Sequence, residues 1–215
     1  MRLPGFFRLP AKYTVIACSI FLVLLLAACG SSGTTTGSTP TPTPTPSPKP
    51  SPSPAVTPPS STTLTTYTGN GYTIGYPQGW KVNAAGKNVV FTDSTGIYSL
   101  TIVVSPNPGG IASPDTVINA EIQVVKGTLK NPQTVNVPSS TTIGGDTWVQ
   151  KSITGDSSAA GQTGTVQIVV ASDNHPANSP STNSYTITYG TLQATFDAAN
   201  NQYFLPMLQS FKFTS

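Results

Sequence analysis

The sequence predicts an α+β domain built around a mainly antiparallel sheet, and three observations support this. Several segments after Ser61 alternate apolar and polar residues with a period of two, as strands with one buried face do. Two other segments carry apolar residues at helical spacing, so each has one apolar stripe that a sheet must cover. Residues 29–61 have a quite different composition, so the folded domain is expected over residues 62–215. Together these patterns are typical of one α+β sandwich.

The chain begins with a segment that is typical of a secretory leader. Three basic residues are followed by an uncharged, almost wholly apolar run over residues 13–28. That run is shorter than the ~20 residues of a spanning helix and has the proportions of a signal-peptide core. It ends in the letters LAACG, which resemble the lipobox of bacterial lipoproteins, with the cysteine at Cys29. The resemblance implies a signal peptide over residues 1–28 and lipid on the Cys29 thiol.

Two alternatives to the lipobox interpretation stay open. The cysteine could follow an ordinary signal peptide by chance, or the apolar run could remain as an uncleaved anchor. In the lipobox interpretation, lipid on Cys29 tethers the mature chain to the outer face of a bacterial cytoplasmic membrane. The other cysteine, Cys18, would leave with the leader, so we expect no disulfide and no cysteine metal site.

Removal of the leader changes the charge of the chain. The full sequence has ten basic and seven acidic residues, a formal net charge of +3. Arg2, Arg8 and Lys12 lie in the leader, so the mature chain keeps seven lysines, seven acids and no arginine. Nucleic-acid-binding proteins need clustered lysine and arginine to displace counterions from phosphates. The neutral mature chain therefore excludes nucleic acid as a partner.

Residues 29–61 are predicted to form a lipidated N-terminus and a linker. This segment consists almost entirely of Ser, Thr, Gly and Pro, and proline occupies every second position from Pro40 to Pro54. Proline favours an extended backbone that rises about 3.1 Å per residue, so some thirty residues span up to about 90 Å. The segment is therefore expected to hold the domain away from the membrane. Hydroxyl-rich and proline-rich stretches also accept O-linked glycans, which is a second possible property of the stalk.

Seven strands are predicted from alternation and from β-branched and aromatic residues. In one of them, for example, Leu100, Ile102 and Val104 share a single face. The Gly144-Gly145 pair indicates a turn before the predicted strand at residues 147–153. The predicted strands are residues 72–76, 89–92, 99–104, 133–137, 147–153, 165–171 and 185–189.

Two helices are predicted. The first is expected to begin at Ser113, a capping hydroxyl that is followed by proline and an acid in the first turn. Its apolar stripe consists of Ile118, Ile122, Val125 and Leu129. The second is expected to begin at a cap on Asp197 and to kink or break near Pro206, because proline removes a backbone hydrogen bond. Its apolar stripe consists of Phe204, Leu208 and Phe211.

Two segments resemble a known family. Residues 71–80 read GYTIGYPQGW, and residues 207–213 read MLQSFKF. The first resembles the opening of the PsbP-like family, where a short strand precedes Tyr-Pro, one residue and Gly-Trp. The second resembles the closing helix and last strand of that family. The resemblance covers about residues 65–213 and implies an α/β/α sandwich with a central antiparallel sheet.

The resemblance also bears on function. Characterised members of the family include extrinsic subunits of photosystem II and a nuclear protein that binds a small GTPase. Most of them act by protein contact and assembly. The mature chain is neutral and lacks arginine, unlike those subunits, which weakens any carry-over of their salt-dependent docking. In the opening motif, Pro77 is expected to preset one turn angle and Gly79 to tolerate a positive φ. Trp80 of that motif and Trp148 are predicted to be packing anchors of the core; the alternative is a ligand platform.

Residues suited to catalysis are scarce. The sole histidine, His175, lies in the segment DNHPANSP and is expected to be a solvated loop residue; the alternative makes it, with Asp173, half of a metal site or dyad. The chain has no Gly-x-Ser-x-Gly nucleophile motif. Its acids are mostly explained by turns and helix starts, among them Asp146, Asp156 and Asp197. We therefore expect no enzyme activity, no catalytic residue, no metal and no cofactor.

Three functional hypotheses follow. The first is a membrane-anchored, extracytoplasmic domain that binds another cell-envelope protein or helps to assemble one. The second is a small-ligand-binding lipoprotein with a pocket between sheet and helices, lined by aromatic residues. The candidate lining residues are Tyr76, Tyr98, Trp148 and Tyr189. The third is an envelope hydrolase, which a tight contact between an acid and His175 would favour.

Overall fold

A computed structural model of the chain describes residues 62–158 and 163–214. The predicted signal peptide, Cys29 and the predicted stalk lie outside the described residues. The described part consists of two antiparallel sheets and a few helices, which confirms the predicted α+β class. Within these residues, no helix has the length and apolar character needed to cross a membrane.

The strands form a large and a small sheet. The small sheet has the order β1-β2-β11, and the large sheet has the order β3-β4-β5-β10-β9-β8-β6, with β7 paired to β8. The strands are β1 (Leu64–Thr68), β2 (Tyr72–Pro77), β3 (Lys81–Ala85), β4 (Asn88–Thr92), β5 (Ser99–Pro106), β6 (Lys130–Val135), β7 (Ser140–Ile143), β8 (Asp146–Ser157), β9 (Gly164–His175), β10 (Asn183–Leu192) and β11 (Lys212–Phe213). The helices are α1 (Pro114–Thr128), α2 (Phe196–Ala199) and α3 (Leu205–Ser210).

The large sheet is covered on both faces. On one face, Ile118, Ile122 and Val125 of α1 pack against Ile153 of β8 and Val170 of β9. On the other face lie the small sheet and the C-terminal helices, over a larger core. The result is a sandwich around a central antiparallel sheet, as the family resemblance implies, with a small second sheet added to one outer layer.

Aromatic side chains fill the space between the two sheets. Phe211 stacks on Tyr72 with ring centroids 5.2 Å apart and meets the edge of Trp148 at 5.6 Å. Trp148 is 0% exposed, and its indole N–H donates a hydrogen bond to the carbonyl of Ile143 at 3.0 Å. The predicted packing role of Trp148 therefore agrees with its place in the structure.

The two helical regions differ from the sequence expectations in their details. The helix α1 begins as expected, because the Ser113 hydroxyl accepts a hydrogen bond from the Thr116 N–H at 3.2 Å. The expected cap on Asp197 is wrong: Thr195 is the residue that precedes α2, and Asp197 lies in its first turn. A π-helical turn over Asn200–Phe204 precedes α3, so the helix is irregular directly before Pro206.

Three strands were not predicted from the sequence, and the strands β5, β8, β9 and β10 extend beyond their predicted bounds. The strands β1 and β3 are mostly exposed and β7 has only four residues, so none of them shows the apolar alternation that reveals a half-buried strand. The expectation of a loop at Asp173 and His175 is wrong, because β9 continues through both residues. There Tyr185 pairs with Asp173, and Asn183 pairs with His175. Pairing with β10 thus overrides the polar sequence of this segment.

The β7–β8 hairpin offers a test of the packing around Phe211. Gly144 and Gly145 have φ of 63° and 93° and form the two-residue turn that joins the strands. A Cβ on Gly144 would also lie 2.9 Å from Phe211 Cδ1. We expect Gly144→Ala to lower the free energy of unfolding by about 1–2 kcal/mol or more.

The control is Gly127→Ala in α1, where an added Cβ meets nothing within 4 Å. Because alanine favours a helix over glycine, this variant should raise the free energy of unfolding by up to about 1 kcal/mol. Urea unfolding of both variants is the measurement. Equal midpoints for the two variants would contradict the assigned role of Gly144.

Candidate functional site

A surface recess of about 410 Å³ lies where three connecting segments meet. One wall is the turn between β2 and β3, and a second is the loop between β4 and β5. The third comes from the π-helical turn Asn200–Phe204, and the first described residues of the chain lie at the rim. The recess therefore combines side chains that are far apart in the sequence.

The β2–β3 turn carries the family motif Tyr-Pro-x-Gly-Trp. The Trp80 N–H donates a hydrogen bond to the Pro77 carbonyl at 3.1 Å, which closes a four-residue turn. Gly79 has φ of 87°, a conformation that glycine adopts without strain, as expected. Pro77, expected to preset a turn angle, is instead the last residue of β2 and precedes the two central turn residues. The turn directs Trp80 to the recess.

Three half-buried aromatic rings form the lining of the recess. Tyr203 lies between Trp80, at 5.7 Å, and Tyr98, at 5.5 Å, measured between ring centroids. The rings are tilted by 52° and 42°, so they form ridges rather than one flat platform. Trp80 also meets the edge of buried Phe204 at 6.4 Å, so it serves both the core and the recess.

Asp93 fixes the β4–β5 loop. Its carboxylate accepts hydrogen bonds from the N–H of Tyr98 and the N–H of Thr95, both at 3.0 Å, and from the Thr95 hydroxyl. Burial alone would raise the pKa of the Asp93 carboxyl, but the Thr95 hydroxyl and these N–H groups hold the pKa below its usual value. Asp93 therefore remains ionised and holds Tyr98 in position.

The structure does not bring the four sequence-predicted pocket residues together. Only Tyr98 lines the recess. Tyr76 packs on Phe91 with centroids 5.4 Å apart, and Trp148 lies in the core. Tyr189 is also a core residue, and burial raises the pKa of its hydroxyl to about 12.

Three other residues of the recess escaped the sequence analysis. Tyr203 is adjacent to Phe204 in the sequence and so lies off the apolar stripe of the predicted helix. Asp93 and Gln202 have no neighbouring motif. A useful signal was Trp80, which ends the family motif and was predicted to be a packing anchor, with a ligand platform as the alternative. The remaining residues follow only from the positions of the three connecting segments.

A second cluster surrounds His175 at the end of β9. Its Nδ1 lies 2.7 Å from a carboxylate oxygen of Asp146, and its ring stacks on Phe213 with centroids 3.7 Å apart. Burial raises the pKa of the nearby Asp173 carboxyl, and the Asp146 carboxylate adds to this effect. His175 is therefore a paired and stacked strand residue instead of the expected solvated loop histidine.

The His175 contact supplies two members of an acid–histidine–nucleophile arrangement. A hydrolase of this type also needs a hydroxyl or thiol within hydrogen-bond reach of the imidazole. Among residues 62–158 and 163–214, no hydroxyl group makes a hydrogen bond to His175. The same residues contain no group of three or more side chains placed to hold a metal ion. The contact instead fixes His175 against Phe213.

The raised pKa of Asp173 predicts a specific dependence of stability on pH. A carboxyl with a folded pKa above its unfolded value favours folding below the unfolded pKa, and this contribution is lost as pH rises through the folded pKa. Asp173→Asn should therefore raise the free energy of unfolding at pH 7. The gain should shrink as the pH falls toward about 3.9, the usual value for an unfolded aspartate.

Asp156→Asn is the control with the opposite sign. Hydrogen bonds from Asn131 and Thr165 lower the pKa of Asp156, so its contribution to stability is present at neutral pH and disappears in acid. This variant should be less stable than the parent at pH 7 and equal to it in acid. Thermal unfolding between pH 3 and 7 measures both; a loss of stability at pH 7 for Asp173→Asn would contradict the first expectation.

Two solved structures with low sequence identity are similar to the chain. A protein from Bacteroides thetaiotaomicron matches with a TM-score of 0.41 and 8% identity, over 67% of this chain and 46% of that one, so this chain spans less than half of its length. LpqN of Mycobacterium tuberculosis, described as involved in cell envelope biogenesis, matches with a TM-score of 0.41 and 16% identity, over 71% of this chain and 91% of that one. Neither score supports an argument about function.

Sequence comparisons give a family. No curated protein matches the chain. The family model described as PsbP matches residues 62–213, which is well over half of the chain and includes both the Tyr-Pro-x-Gly-Trp turn and β11. The chain belongs to the PsbP family.

Proposed function

We propose that the chain is an extracytoplasmic lipoprotein, anchored by lipid on Cys29, whose PsbP domain binds another envelope protein without catalysing a reaction. The lipobox resemblance of residues 26–30 supports the anchor. Membership of the PsbP family supports a role in protein contact, although a fold alone does not define a function. The proposed binding site is the recess between Trp80, Tyr98 and Tyr203.

The position of this recess is the observation that carries the proposal. Aromatic side chains fill the space between the two sheets, so a partner has to be met at the surface. At the recess, half-buried aromatic rings are accompanied by the exposed amides of Gln78 and Gln202. Tyrosine and tryptophan that present a large apolar area beside hydrogen-bonding groups are enriched where proteins bind each other.

Binding of a small ligand in the same recess is the second candidate function. The recess volume of about 410 Å³ falls within the range of about 300–1,000 Å³ that ligand pockets occupy. The pocket predicted from the sequence was to lie between sheet and helices, where the structure has a filled core instead. The surface position of the recess is why a protein partner is preferred.

The anchor can be tested at the two cysteines. Cys29→Ser should abolish labelling of the chain by an alkyne-bearing fatty acid and release it from the membrane fraction, because the thiol carries the lipid. The matched control, Cys18→Ser, alters a cysteine within the apolar leader and should leave labelling and fractionation unchanged. Fatty-acid labelling of Cys29→Ser equal to that of the parent chain would contradict lipid attachment at Cys29.

The binding site can be tested by photo-crosslinking in cells. A benzoylphenylalanine at exposed Gln202 should give a discrete protein adduct, and the same residue at exposed Gln123 on α1 should not. Tyr98→Ser in the Gln202-labelled chain should reduce the adduct several-fold, since it removes one wall of the recess. Equal adducts at both positions would contradict the proposed site. No protein adduct, together with thermal stabilisation by a small metabolite, would favour the second candidate.

A further inference from the structure

We infer that the proline-rich segment of this chain, residues 40–59, docks in its own recess between Trp80, Tyr98 and Tyr203. This inference goes beyond the proposed function, because it requires no outside partner. It assigns the recess an intramolecular ligand, namely X-Pro units in an extended backbone. It concerns the same rings as the proposed partner site, so the two ligands would exclude each other.

The point at which the chain enters the domain places this segment at the recess. The first described residues, Thr62 and Thr63, line the rim. The Thr62 hydroxyl donates a hydrogen bond to the Gln202 carbonyl at 2.9 Å, on one wall. The Thr63 carbonyl accepts one from the Gln78 N–H at 3.2 Å, on the other wall. The chain therefore enters the domain at the mouth of the recess.

The shape of the recess suits proline. Extended proline-rich segments bind grooves lined by aromatic side chains, and they lose little entropy because the backbone is already restricted. The tilts of 52° and 42° between Tyr203 and its neighbours Trp80 and Tyr98 give ridges, between which pyrrolidine rings can lie. Proline offers carbonyl acceptors but no N–H donor, and the exposed amides of Gln78 and Gln202 provide donors.

The charges of the proline-rich segment and of the recess also agree with docking. Residues 40–59 contain one charged side chain, Lys49. The one carboxylate of the recess, Asp93, is already engaged by Thr95 and by the Tyr98 N–H. A docked proline-rich segment would therefore displace water from apolar rings without leaving a charged group unpaired.

The tether makes a weak interaction sufficient. Pro58 and Pro59 precede Thr62 by four and three residues, a reach of about 10–14 Å at about 3.5 Å per residue. The alternating repeat from Pro40 to Pro54 can fold back over a few more residues. Short tethers give effective concentrations of the order of millimolar, so a millimolar intrinsic affinity would populate the docked form substantially.

Two tryptophans allow a direct test by NMR. The probe is the indole N–H signal of Trp80, and that of fully buried Trp148 is the internal reference for the folded core. The chain from residue 30 to 215 is compared with a variant in which every proline from 40 to 59 is serine. We expect the Trp80 signal to differ between the two by more than its linewidth and the Trp148 signal to coincide.

Two further measurements identify the source of the effect. When Tyr203→Ser is introduced into both the parent and the proline-free chain, the difference between their Trp80 indole N–H signals should disappear. Because docking is intramolecular, tenfold dilution should leave the Trp80 signal of the parent chain unchanged. Coincident Trp80 signals in the parent and proline-free chains would overturn the inference. A difference that fades on dilution would also overturn it, since it would show docking on a second copy.

Discussion

The packing of Phe211 between the two sheets is the constraint on which the rest of the structure depends. Its ring contacts Tyr72 of the small sheet and Trp148 of the large sheet. Gly144 gives it room, because a Cβ at position 144 would lie 2.9 Å from the ring. A single residue after α3 therefore joins the small sheet, the β7–β8 hairpin and the C-terminal helix in one core. Residues 62–158 and 163–214 contain no cysteine, so in this part of the chain the layers are held together by such packing and not by a disulfide.

The same core determines where the recess lies. Phe204 is fully buried and packs on Tyr189, with ring centroids 5.0 Å apart. Because Phe204 faces the core, the adjacent Tyr203 faces outward from the π-helical turn and meets Trp80 and Tyr98. The geometry of the recess is thus a consequence of core packing. The π-helical turn winds more loosely than an α-helix, and it carries Phe204 in the core and Tyr203 at the recess.

The sequence predicted the elements that carry a periodic apolar signal and failed where none exists. The alternation of β5 and the capped stripe of α1 both identified real elements, because burial against a neighbour requires such patterns. Exposed β1 and β3 carry no such pattern, since their strand conformation comes from pairing with other strands. The recess could not be predicted for a related reason. Trp80, Asp93 and Tyr203 come together only through sheet topology, which local sequence does not encode.

The entry of the chain at the rim of the recess links the tether to binding. A stalk that docks on Trp80 and Tyr203 would lower the apparent affinity of the recess for any partner by the fraction of molecules left undocked. A partner that displaces the stalk would release the proline-rich segment, and with the proposed lipid anchor on Cys29 the domain would then reach farther from the membrane. A fully extended stalk cannot dock. Tension on the stalk would therefore also leave the recess free for a partner. In such an arrangement a weakly bound segment with a single charge, Lys49, is an advantage, since tight docking would leave the recess closed to a partner.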